Sequence, residues 1–292
     1  MSARRHRRLG DSELESLVPE VSVDRRGFLA AAIAAGFAAS AEPLLAQAIR
    51  TPMEGLDGGD VRIGSIPAYW AVKKGTGRRP VVLVVAEIWG LHEYIKDVCR
   101  RLAHAGYYAI ANEPYFRLGE LWKLTDIKEV LAAANRLEDR HAFEDIDTVL
   151  AWVRMQPRAN AARLGVTGFC RGGRMVWMYT AHSKAMKAGV AWYGGLSPIP
   201  PAMPLTPIDV ADRLNAPVLG LYGGADQGIP LELVERMRAA LLAFGKDRES
   251  RIHVYEGMPH AFHADYRPSY RKAAAEDGWK RMLEWFRRHG VA

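Results

Sequence analysis

The stretch Gly168-Phe169-Cys170-Arg171-Gly172-Gly173 sets a thiol among small residues. The Gly-x-nucleophile-x-Gly pattern is that of a nucleophile elbow, with cysteine where serine is usual. So tight a turn admits only small flanking residues and forces the nucleophile into a strained backbone conformation. A helix is expected directly after it. Its N-terminal dipole and free N–H groups would favour the Cys170 thiolate. The competing reading is a buried structural cysteine ahead of a phosphate loop, but no Lys-Ser/Thr pair follows the glycines.

Three further positions carry groups that could serve such a nucleophile. Asp226 closes the run Leu219–Asp226 just after Gly223-Gly224, where an acid can orient a histidine. His260 stands in Glu256-Gly257-Met258-Pro259-His260 and is the expected base, with His263 as its rival. Glu87 follows the apolar run Pro80–Ala86, and a carboxylate there is costly unless paired or protonated. His92, His104, His141 and His182 fall on helices or their ends and read as solvated. Asp209 and Asp212 read as surface or capping residues, and Cys99 as core.

The elements that must position these groups alternate between strands and helices. Strands are expected over Val61–Val72, Pro80–Ala86, Tyr107–Ala111, Arg163–Phe169, Gly189–Tyr193, Ala216–Tyr222 and Ser250–Tyr255. Helices are expected over His92–Ala105, Thr125–Leu137, Ala142–Met155, Arg171–His182, Pro230–Phe244 and Tyr270–Arg288. Such alternation implies an α/β fold with a mostly parallel central sheet and helices on both faces. In these sheets ligands bind at the carboxyl ends of the strands, where Glu87, Cys170, Asp226 and His260 all stand. Pro198–Pro207, with five prolines, reads as a surface loop near the site.

Composition narrows the classes. The chain has 292 residues, 49% hydrophobic and 25% charged, as expected of a globular protein and not of a disordered one. Its longest apolar run, about a dozen residues, falls short of the roughly 20 that span a bilayer. Two cysteines cannot form a disulfide framework, and no Cys/His cluster suggests a metal. The net charge of +7 is scattered and lacks a nucleic-acid motif. Residues 1–48 read as a targeting segment. Arg25-Arg26-Gly27-Phe28-Leu29 resembles a twin-arginine export motif, a mild apolar run follows, and Ala46-Gln47-Ala48 offers a cleavage site. A periplasmic mature chain beginning near Ile49 is therefore expected, with one domain over 49–292 and no lasting membrane association.

The chain order nucleophile, acid, base is that of α/β-hydrolases. Glu87-Ile88-Trp89-Gly90, the elbow, Gly224-Ala225-Asp226 and His260-Ala261-Phe262 together resemble the dienelactone hydrolase family, the carboxymethylenebutenolidases, over roughly Val61–Arg288. The resemblance implies an α/β-hydrolase fold, a Cys170-Asp226-His260 triad and no cofactor. It also implies that Glu87 contacts the nucleophile and that Ile88 and Arg171 N–H groups form the oxyanion hole. Trp89, Tyr193, Phe262 and Arg267 are the expected substrate contacts. The family arginine four residues past the catalytic histidine is Ala264 here.

A thiolate leaves more readily than an ordinary alkoxide, so a thiol nucleophile suits esters that release enolates or phenolates. The expectation is a monomeric hydrolase acting on a small activated ester or lactone through a thioester. A general aryl esterase or carboxylesterase, or a non-catalytic binding protein, are the alternatives. A binding protein would need one of the four positions broken, and none is. A thiol-redox role would want a resolving cysteine, for which Cys99 is poorly placed.

Overall fold

The computed structural model describes residues 49–292, so the expected targeting segment lies outside the described residues. Eight strands form one sheet in the order β1-β2-β4-β3-β5-β6-β7-β8. They are β1 (Leu56–Ile63), β2 (Ile66–Lys73), β3 (Arg79–Val85), β4 (Tyr108–Asn112), β5 (Ala159–Phe169), β6 (Ala188–Trp192), β7 (Val218–Gly223) and β8 (Arg251–Tyr255). From β4 through β8 the neighbours pair in parallel, and β2 is antiparallel to both β1 and β4. Among the described residues, six α-helices accompany them: α1 (Glu93–His104), α2 (Ile127–Ala134), α3 (Asp139–Arg154), α4 (Arg171–His182), α5 (Leu231–Ala243) and α6 (Lys272–Arg288).

The mixed strand region expected over Val61–Val72 is the greater part of a hairpin formed by β1 and β2. Ile63 pairs with Ile66 across Gly64-Ser65. A two-residue hairpin turn needs positive φ, and Gly64 supplies it at +58°. Apolar alternation runs through this turn almost unbroken, so periodicity alone does not reveal it.

Val81, Val82, Leu83 and Val84 have no exposed surface. A strand buried on both faces reads as a continuous apolar run, and that is why Pro80–Ala86 is legible as a central strand. Helix α4 is also almost wholly buried, with Trp177 Nε1–H donating to Tyr222 Oη at 3.1 Å. Its first turn is tied to the proline-rich loop. Arg174 Nη2 donates to the Leu205 carbonyl at 2.7 Å, and Arg171 Nη1 to Met203 Sδ at 3.8 Å. Helix α1 is braced to the segment after β8 by Arg101, whose guanidinium meets both Asp97 and Asp265.

Candidate active site

Cys170 stands between β5 and α4 with φ of 54° and ψ of −115°. The neighbouring strand holds that strained turn: Cys170 N–H donates to the Trp192 carbonyl at 3.0 Å. Close approach explains the elbow glycines. A Cβ on Gly172 would lie 2.2 Å from the Val85 carbonyl oxygen, so only glycine lets α4 begin directly against the end of β3. Among the described residues, three non-glycine residues have positive φ: Cys170, Tyr193 and Ala261. All three lie in the segments that follow β5, β6 and β8, consistent with strain gathered at a functional site.

Asp226 and His260 meet through two loops laced together. Gly224 N–H donates to the Tyr255 carbonyl at 2.8 Å and Ala225 N–H to the Met258 carbonyl at 2.9 Å. Asp226 Oδ1 accepts from Gly228 and Ile229 N–H at 2.9 and 3.2 Å. Its Oδ2 accepts from His260 Nδ1–H at 2.6 Å, with both side chains buried. Burial opposes charge on the ring, yet the buried Asp226 carboxylate and the Cys170 thiol outweigh it and push the His260 pKa up to about 10. On the ring's other side, Nε2 is buried and closes no hydrogen bond of full geometry. Cys170 is the group that acts on the ring there.

The rival histidine is spoken for. His263 Nδ1 accepts from Tyr94 Oη–H at 2.7 Å, and its ring stacks on Phe169 and Trp279. Burial, helped by Arg101, holds it well below the ordinary imidazole range, so it is neutral. Three residues of separation thus send one ring to Asp226 and the other into the core.

Glu87 follows β3 and is 1% exposed. Val85 pairs with Gly168, so Glu87 and Cys170 each stand two residues beyond a matched pair on adjacent strands. His92 Nε2–H donates to Glu87 Oε1 at 3.1 Å, and Tyr266 Oη–H donates to the same oxygen. Burial would raise the Glu87 pKa, but His92, Arg267 and Tyr266 overcome this and hold it below the usual carboxylate value. Its Oε2 is buried without a partner. Glu113 braces the loop from the β4 side, accepting from Leu91 N–H at 2.7 Å and Tyr115 N–H at 2.8 Å.

The remaining expected residues separate into two groups. Ile88 is fully buried beside Glu87, and Arg171 N–H belongs to the first turn of α4, which offers it no intrahelical acceptor. Trp89 and Arg267 are half-buried, and Arg267 lies near enough to Glu87, Tyr193 and Tyr266 to act on their charge. Tyr193, expected to touch substrate, has no exposed surface and instead meets the His260 ring edge-on, with the ring centroids 5.0 Å apart. Phe262, expected to touch substrate, has no exposed surface and packs against Trp192, Tyr193 and Tyr255. It backs Tyr193, the ring that meets His260, and is not a surface that substrate reaches. Ala264 is also fully buried.

A family model described as the dienelactone hydrolase family matches residues 66–290. The chain belongs to the dienelactone hydrolase family. It is a carboxymethylenebutenolidase-like hydrolase with an α/β-hydrolase-like fold. A protein of Methylorubrum extorquens that bears the carboxymethylenebutenolidase name is 49% identical over 289 residues, covering 97% of this chain and 99% of the relative. The crystal structure of a dienelactone hydrolase homologue from Klebsiella pneumoniae is 45% identical, with a TM-score of 0.76 over 80% of this chain and 99% of that one. A more distant relative from Bradyrhizobium, 31% identical over 76% of this chain and 89% of its own, is named a 2-oxo-3-(5-oxofuran-2-ylidene)propanoate lactonase. Among the described residues no helix is long and apolar enough to cross a membrane, and no cluster of three His, Cys, Asp or Glu side chains could hold a metal.

Sequence reasoning missed His92, Tyr266 and Glu113. His92 reads as a solvated helix end, and it does cap α1, but its ring turns inward to Glu87. One signal was available: a carboxylate buried at the end of an apolar strand must find donors, and His92 is five residues away.

Proposed function

We propose that the protein hydrolyses activated esters and lactones, enol-lactones of the dienelactone type foremost, through Cys170, Asp226 and His260. The observation that carries this reading is an elbow cysteine acting on an imidazole whose Nδ1 is held 2.6 Å from a buried carboxylate. Cys170 Sγ gives its proton to His260 Nε2 and attacks the carbonyl carbon, forming a C–S bond as the carbonyl π pair moves onto oxygen. Ile88 and Arg171 N–H groups meet the developing oxyanion, each contributing about 3 kcal/mol. The tetrahedral adduct then breaks its C–O bond, and the enolate leaves with the proton that His260 carries. His260, oriented by Asp226, draws a proton from water, which attacks the thioester and expels the thiolate.

Glu87 acts on the resting thiol. A carboxylate beside Cys170 opposes its ionisation until substrate arrives. Trp89 supplies an aromatic contact, and Arg267 supplies the cation for a substrate carboxylate. Ala264 favours a second reading, hydrolysis of aryl esters, because it brings no cation to the family position. The lactonase name of the Bradyrhizobium relative supports the first. The reading extends to export: Arg25-Arg26 and Ala46-Gln47-Ala48 support a twin-arginine route to the periplasm, with a monomeric mature protein.

The test is a panel of enol-lactones, aryl esters and alkyl esters, with p-nitrophenyl acetate for pre-steady-state kinetics. A burst matching the enzyme concentration, and turnover ranked enol-lactone, aryl ester, alkyl ester, are expected. A faster alkyl-ester rate, or no burst, would overturn the thioester course.

A further inference from the structure

Glu87 is gripped by one oxygen while the other is left bare. His92 Nε2 and the Tyr266 hydroxyl converge on Oε1, and Oε2 has no partner despite its burial. A carboxylate only accepts, so Nε2 of His92 carries a proton in this contact. The two donors come from distant parts of the chain. His92 caps α1, and Tyr266 lies six residues past His260 in the segment that Arg101 ties to the same helix. The rings support one another: Tyr266 meets His92 edge-on at 5.1 Å, and Tyr94 lies 5.9 Å from His92 and 5.3 Å from Tyr266.

We propose that His92 and Tyr266 are positioning residues, forming a seat that holds Glu87 back from Cys170 and so sets how strongly its charge acts on the thiol. This rests on the reading of Cys170 and Glu87 given above. Two donors on one oxygen fix the rotamer of the carboxylate and draw its charge toward Oε1. With one donor gone, the carboxylate is more basic and freer to turn toward the thiol. Its like charge then opposes thiolate formation more strongly. The other charged or titratable groups around this seat are Arg267, Tyr193 and Tyr94 near Glu87, and Glu113 near His92.

The seat predicts effects of opposite sign. The readout is the pH profile of Cys170 alkylation by iodoacetamide in the full chain, followed by mass spectrometry of the Cys170 peptide. Glu87→Gln removes the charge and should shift alkylation to lower pH. Tyr266→Phe frees the charge and should shift it to higher pH, slowing reaction about threefold at a fixed pH on the rising limb. Glu87→Gln with Tyr266→Phe should match Glu87→Gln alone. His92→Phe should follow Tyr266→Phe, while His92→Gln, which keeps a donor, should stay near wild type. If Glu87→Gln moves the profile and neither Tyr266→Phe nor His92→Phe does, the seat is overturned and the role of Glu87 stands. A Tyr266→Phe shift that persists without the Glu87 charge would also overturn the seat. If Glu87→Gln moves nothing, the underlying reading of Glu87 fails first.

Discussion

Glu87 and Cys170 occupy equivalent places on neighbouring parallel strands, each two residues past the Val85–Gly168 pair. Adjacent strands run about 4.8 Å apart, so pairing brings a carboxylate and a thiol to the same edge of the sheet without any contact between their own side chains being needed. The strand register therefore sets how near these two groups stand.

Cys170→Ala should abolish ester hydrolysis, lowering turnover of p-nitrophenyl acetate by at least about 100-fold. Circular dichroism should show the fold retained, because the thiol is small and the elbow is held by backbone bonds. More than a few per cent of residual turnover would point to another nucleophile.

Asp226→Asn should keep the contacts of Oδ1 with Gly228 and Ile229 while presenting an N–H group to His260. The imidazole would then be held in the wrong tautomer. A fall in kcat of roughly 100- to 10,000-fold is expected, with KM little changed. Steady-state kinetics on an aryl ester checks it.

Gly172→Ala tests the close approach of elbow and strand. The added Cβ would sit 2.2 Å from the Val85 carbonyl oxygen, and backbone cannot step aside as a side chain can. A loss of about 1–3 kcal/mol is expected in denaturant unfolding, along with most of the activity.

His263 makes stability depend on pH. Its pKa is depressed by burial and then by Arg101, so it is neutral in the folded state. Below about pH 6.5 the unfolded chain takes up a proton that the folded chain refuses. Stability from this group is thus complete above that pH and is lost as pH falls, by up to about 1.4 kcal/mol per unit. His263→Gln should flatten the acid side of a plot of unfolding free energy against pH. An unchanged slope would mean that His263 takes up its proton without unfolding.

Changing Arg25 and Arg26 to Lys should retain the protein in the cytoplasm at full length. Fractionation followed by N-terminal sequencing is the check, with the exported wild-type chain expected to begin near Ile49. Wild-type protein found in the cytoplasm with its leader intact would count against export.

Some of this site could be read locally. The elbow, the acid after Gly223-Gly224 and the buried strand before Glu87 are each written in a few consecutive residues, because turn chemistry and strand burial are short-range constraints. The alternation of strands and helices then supplies the sheet, and the sheet's carboxyl edge says where the groups gather. The Gly64-Ser65 turn escaped this reading because the apolar alternation barely pauses there. The reason that His260, and not His263, meets Asp226 lay beyond it as well. Both sit in one loop, and Ala261 at φ of 57° turns the chain between them, so one ring finds Asp226 and the other Tyr94. The seat of Glu87 is further out of reach, since one of its two donors, Tyr266, is 179 residues away in sequence. No local pattern encodes that pairing. It exists because a buried carboxylate must be given donors, and only the packing of α1 against the segment after β8 determines which side chains are near enough to provide them.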